Sequence, residues 1–77
     1  MSYDGMSIYK YMSASQAVYE VRGNYIHELM SASQAVYEIR GNYIHEYMSA
    51  SQPLYEIRGG RYIHHYMQAS QAVYELR

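Results

Sequence analysis

"YEIRGNYIHEYM", residues 37–48, decides how this chain folds, because near-copies stand at 19–30 ("YEVRGNYIHELM") and 55–67 ("YEIRGGRYIHHYM"). Met12, Met30, Met48 and Met67 mark a period of 18, 18 and then 19 residues. Ile8, Ile26, Ile44 and Ile63 keep step with them, and so do Ala14, Ala32, Ala50 and Ala69, each followed by Ser-Gln. A fixed period of this length marks a repeat architecture. Each unit holds two short runs rich in β-branched and aromatic residues, "AVYEIR" and "YIHEYM", separated by Gly-Asn and closed by Ser-Ala-Ser-Gln. Such runs, bounded by turn residues, read as a leading and a trailing strand rather than as a helix.

The two turns fix the pairing. With Gly41-Asn42 as a two-residue hairpin loop, Arg40 lies opposite Tyr43, Ile39 opposite Ile44, Glu38 opposite His45 and Tyr37 opposite Glu46. With Ser49-Ala50-Ser51-Gln52 as a four-residue loop, Met48 meets Pro53 and Tyr47 meets Leu54. Both turns place Ala35, Tyr37, Ile39, Ile44 and Met48 on one face, and Val36, Glu38, Arg40, Tyr43, His45 and Tyr47 on the other. The third unit carries its extra residue in Gly59-Gly60-Arg61, at the hairpin loop, where lengthening costs little. Pro53 opens its strand, where a missing N–H is tolerated.

The expected fold is therefore a single all-β domain over residues 1–77, with about eight short strands in an antiparallel hairpin meander, barrel or sandwich-like. A two-sheet β-solenoid, one coil per unit, is the rival that local signals leave open. "SIYKYM" (7–12) is a trailing strand without its leader, and "AVYELR" (72–77) a leader without its trailer. Pairing them closes the sheet within one chain, or joins chains into a homo-oligomer; left open, both are edges that invite aggregation.

Composition limits function. A chain of 77 residues buries roughly 60% of the surface its unfolded state exposes. It has no cysteine, so neither disulfides nor thiolate metal sites support it. A net charge of −1 lacks the basic excess that nucleic-acid binding needs, and no segment reads as a signal peptide or membrane span. The expected location is cytoplasmic. Twelve tyrosines without any phenylalanine or tryptophan suit half-wet sheet surfaces.

His27, His45 and His64, near Glu28 and Glu46, suggest a metal set. In a meander, however, successive trailing strands lie roughly 9–10 Å apart, too far for one ion with ligands at about 2 Å. Cross-strand pairing of His45 with Glu38, and of His27 with Glu20, explains them as solvent-face partners. No serine or cysteine sits in a nucleophile motif, and three equal sites are not one asymmetric reaction centre. No catalysis, cofactor or metal is expected. Repetition does suit multivalent recognition of a glycan or peptide by the face bearing Arg22, Asn24, Tyr25 and His27, Arg40, Asn42, Tyr43 and His45, and Arg58, Tyr62 and His64. Cross-strand packing of Tyr on Arg is the structural alternative for the same residues. Serines in the Ser-Ala-Ser-Gln connection have a structural role as well, bonding nearby backbone groups.

Tyr19–Ile26, Tyr37–Ile44 and the altered Tyr55–Ile63 resemble the Tyr-x-Ile-x-Gly-Asn-x-Ile pattern of small bacterial tandem-repeat proteins. The chain departs from them in its Met-Ser-Ala-Ser-Gln linker, where glycine is more usual. The resemblance implies a β-repeat build and no activity. Together these readings favour a non-enzymatic, self-associating structural or interaction module, with the multivalent binder as the alternative.

Overall fold

The computed structural model describes residues 3–13, 16–30, 34–49, 52–68 and 71–77. Eight strands follow one another: β1 (Ser7–Lys10), β2 (Tyr19–Arg22), β3 (Tyr25–Glu28), β4 (Tyr37–Arg40), β5 (Tyr43–Glu46), β6 (Tyr55–Arg58), β7 (Tyr62–His65) and β8 (Tyr74–Leu76). Each pairs antiparallel with its sequence neighbours, and β1 pairs with β8, so the sheet closes into a barrel. The meander holds, and the solenoid is overturned, since sequence-adjacent strands pair with each other rather than stacking on their repeats.

The hairpin register is the expected one: Arg40 faces Tyr43, Ile39 faces Ile44, Glu38 faces His45 and Tyr37 faces Glu46. Gly23 and Gly41 open their loops at φ 62° and 61°, the glycine-first pattern of a type II′ hairpin turn. In the third hairpin Gly59 and Gly60 both take positive φ, 67° and 69°, so the added residue lies in the glycine pair and Arg61 stands where Asn24 and Asn42 stand.

The connection between hairpins differs from the expectation. Ile44 faces Tyr55, not Ile57, so this interface is displaced by two residues from the expected pairing of Tyr47 with Leu54. The strands are also shorter, ending at Glu46 and restarting at Tyr55 instead of running to Met48 and from Pro53. The physical reason is closure. Hairpin pairings alone carry no stagger, whereas a closed twisted sheet needs one. Four such two-residue steps, one after each trailing strand, stagger the barrel by eight residues around its circumference. With eight strands that gives a tilt of about 36°. A step of two preserves inward and outward parity, which is why the face assignment survives within the strands. Residues 14–15, 31–33, 50–51 and 69–70, and with them the expected serine–backbone bonding, lie outside the described residues.

One aliphatic residue from each strand fills the barrel: Ile8, Val21, Ile26, Ile39, Ile44, Ile57, Ile63 and Leu76. All are 6% exposed or less. Backbone hydrogen bonds repeat with the units. The carbonyls of Met6, Asn24, Asn42 and Arg61 accept from the amides of Val21, Ile39, Ile57 and Leu76 at 2.7–2.9 Å.

The complementary ends meet within the chain. Ile8 faces Leu76 and Lys10 faces Tyr74, the same register as inside each hairpin. Ser7 and Arg77 exchange amide–carbonyl bonds of 2.9 Å in both directions. The β1–β8 pair is thus a fourth hairpin without its loop, and both strand edges are used up. Residues 3–6 strap the loop end of the barrel. Tyr3 and Met6 pack on the core, the Gly5 amide donates to the Val21 carbonyl at 3.0 Å, and the Gly23 amide donates to Asp4 Oδ1 at 2.7 Å.

Met48 does not join the inner face. It is 81% exposed, and Met12, Met30 and Met67 are 79–90% exposed. All four hold left-handed backbone, with φ of 57–59°. The Ser13, Ser49 and Gln68 amides bond the Lys10, Glu46 and His65 carbonyls at 3.2–3.3 Å, closing turns with methionine at the third position. A type II turn demands positive φ there and prefers glycine.

Candidate functional site

The repeated outward row is the face picked out from the sequence. Arg22, Arg40 and Arg58 end their strands opposite Tyr25, Tyr43 and Tyr62, and His27, His45 and His64 stand opposite Glu20, Glu38 and Glu56. Each glutamate from β4 and β6 also faces the tyrosine of the preceding hairpin, Tyr25 against Glu38 and Tyr43 against Glu56. The structure therefore brings the residues of one unit together with those of the next.

Most of the polar groups in this row are engaged within the protein. Arg22, Arg40 and Arg58 bond the glutamates two residues earlier at 2.6, 3.0 and 3.3 Å. Arg40 and Arg58 also donate to the carbonyls of Ser49 and Gln68 at 2.9 Å, tying each strand to the connection that follows its hairpin. The Arg22 hydrogen bond holds the Glu20 carboxyl below its ordinary range, with the nearby His27 adding a smaller pull. Tyr25, Tyr43 and Tyr62 meet Tyr47, Tyr66 and Tyr11 edge to face at 5.7–6.0 Å. His45 is buried, not a solvent-face partner as expected, while His27 and His64 are half-buried. Asn24 and Asn42 sit exposed in their turns, and Asn42 Oδ1 accepts from the Tyr3 hydroxyl at 2.9 Å.

Among the described residues, no group of three or more His, Cys, Asp or Glu side chains could hold a metal ion. Nor is any helix there long and apolar enough to cross a membrane. No family model, curated protein or solved structure matches the chain.

The fourth quadrant carries the same row in altered form. Glu75 is buried and held by Arg61 at 2.8 Å and Arg77 at 3.2 Å, and the Arg77 guanidinium lies 4.5 Å from the Tyr9 ring centre. Burial pushes the Glu75 carboxyl up, but the hydrogen bonds from Arg61 and Arg77 outweigh it and hold it below the ordinary range. Arg61, which takes the place of Asn24 and Asn42 in the lengthened third loop, is thus an ion-pair partner of β8.

Sequence reasoning missed the other end of the barrel. Tyr19, Tyr37, Tyr55 and Tyr74 point inward and form a closed square of edge-to-face rings with centres 5.9–6.0 Å apart. Their hydroxyls hydrogen-bond one another around the square. Burial, and after it the neighbouring tyrosines, raise the Tyr19, Tyr37 and Tyr55 hydroxyls above their ordinary value. Together with Ile8, Ile26, Ile44 and Ile63, the square lines a half-open hollow of about 10 Å³. That is at the lower limit for one water, and its lining is apolar. The square is a lid on the core. Its signal in the sequence was the inward parity of a tyrosine recurring with the period, but only closure brings the four copies together.

Beside the lid stand Lys10, Glu28, Glu46 and His65, the residues facing Tyr74, Tyr19, Tyr37 and Tyr55. His65 stacks on the Tyr55 ring at 5.4 Å. The left-handed methionines follow each of these positions by two residues.

Proposed function

We propose that this protein is a non-enzymatic structural or interaction module that self-associates. One observation carries the reading: on the face that could have been reactive or ligand-binding, the arginines are bonded to glutamates and to the connections, and the tyrosines pack edge to face on other tyrosines. Of the apolar side chains that stay outward, the methionines at the tyrosine-lidded end are the most exposed. Exposed apolar groups on a small protein mark interaction surfaces when they cluster. Three near-equal copies of one row give no single asymmetric centre for a reaction.

Sedimentation velocity between about 1 and 500 μM tests the proposal. Growth in mass without added ligand is expected; a monomer throughout overturns it.

A second reading keeps Tyr25, Tyr43 and Tyr62 as shallow sites for a glycan or peptide, because these rings retain 42, 40 and 37% exposure beside their arginines. Ligand titration followed by amide chemical shifts would then move the three rows together, and a monomer responding in that way favours it over the first.

A further inference from the structure

The structure assigns the methionine-bearing end of the barrel as the self-association face, with a second copy of the chain as its occupant, seated end to end across a two-fold axis; this rests on the self-association proposed above. Two observations select this end, and its size permits the contact. The loop end is strapped by Tyr3, Asp4, Gly5 and Met6, which pack on the core and bond the turns. The lidded end carries Met12, Met30, Met48 and Met67, at 79–90% exposure. Its size also fits. A protein 34 × 33 Å across and 20 Å thick offers an end face of about 900 Å², against roughly 800 Å² per partner in a standard interface.

Charge selects the partner and its register. Around the mouth the order is Lys10 on β1, Glu28 on β3, Glu46 on β5 and His65 on β7. Lys10, Glu28 and Glu46 are exposed and His65 is half-buried. Turning a second copy over reverses this order, so an end-to-end pair has four registers a quarter-turn apart. One sets Lys10 on Lys10 and Glu46 on Glu46; another sets Glu28 on Glu28 and His65 on His65. A third sets Glu28 on Glu46, two carboxylates. The remaining register places Lys10 against Glu28 and Glu46 against His65, each twice by symmetry, with no like charges opposed. A patch that is self-complementary about a two-fold axis is what an isologous dimer requires. The near-four-fold barrel leaves backbone shape almost indifferent between registers, so these side chains choose.

Charge reversal at equivalent positions tests this without endangering the fold, because glutamate already occupies the Lys10 position in the next two units. The association constant is measured by sedimentation equilibrium for K10E and for K10E/E28K. We expect K10E to weaken the dimer ~10-fold or more and K10E/E28K to restore it to within ~3-fold. A K10E/E28K dimer as weak as that of K10E overturns the register. A dimer indifferent to both changes overturns the face while leaving self-association standing. A wild-type monomer at every concentration removes both.

Discussion

Replacing a left-handed methionine by glycine should stabilise this protein. Met12, Met30, Met48 and Met67 sit at φ of 57–59°. There an L-residue's Cβ crowds the following carbonyl at a cost of about 1–2 kcal/mol. Their side chains are 79–90% exposed, so removing one gives up almost no buried area. Glycine relieves the crowding but adds about 0.4–1 kcal/mol of unfolded-state freedom. The net expectation is a gain of about 0.5–1 kcal/mol for Met48→Gly, and about 2–4 kcal/mol for all four if the units add. At roughly 4–8 °C per kcal/mol for a domain of this size, the single change raises the melting midpoint by about 2–8 °C. Met48→Val should do the opposite and lose about 1 kcal/mol, since a β-branched side chain tolerates positive φ least. Urea and thermal unfolding followed by circular dichroism decide it, at a concentration where sedimentation finds only monomer, so that lost association does not enter. If Met48→Gly is neutral or destabilising while Met48→Val is harmless, the backbone there is not left-handed and the reasoning fails.

Three further outcomes follow from the barrel. Removing residues 72–77 takes away β8 with Tyr74 and Leu76, reopening the edges of β1 and β7; a lost thermal transition or large aggregates by size-exclusion chromatography is expected, and an unchanged melting profile contradicts closure. Tyr37→Phe breaks the hydroxyl square and leaves neighbouring hydroxyls short of a partner, so about 1 kcal/mol of stability should disappear in urea titrations. The raised hydroxyls of Tyr19, Tyr37 and Tyr55 make stability depend on alkaline pH. Their contribution is fully present below the ordinary value of 10.0 and is lost above it, because the unfolded chain releases these protons first. Ultraviolet titration of the folded protein should show a late class of tyrosines that disappears in urea, and a single class near the ordinary value in both conditions argues against the square.

Much of the candidate row was legible beforehand. The pairing of Arg40 with Tyr43 and of Glu38 with His45 needs only Gly41-Asn42 and a two-residue loop, and both pairings are observed. What those residues do was not legible. Whether Arg40 waits for a ligand or bonds the Ser49 carbonyl depends on where the connection after β5 runs, and short-range pattern does not fix that path. The burial of His45 has the same origin: alternation puts it outward, but alternation says nothing of what lies across it.

Strand identity, inward and outward parity, the hairpin register and the place of the extra residue were set by the sequence alone, because each depends on side-chain alternation and local turn chemistry. The stagger of eight, the meeting of Ser7 with Arg77, the tyrosine square and the methionines' left-handed turns were decided by the tertiary structure. Parity is blind to a shift of two residues, and only a twisted sheet forced to close on itself chooses between registers that alternation treats as equal.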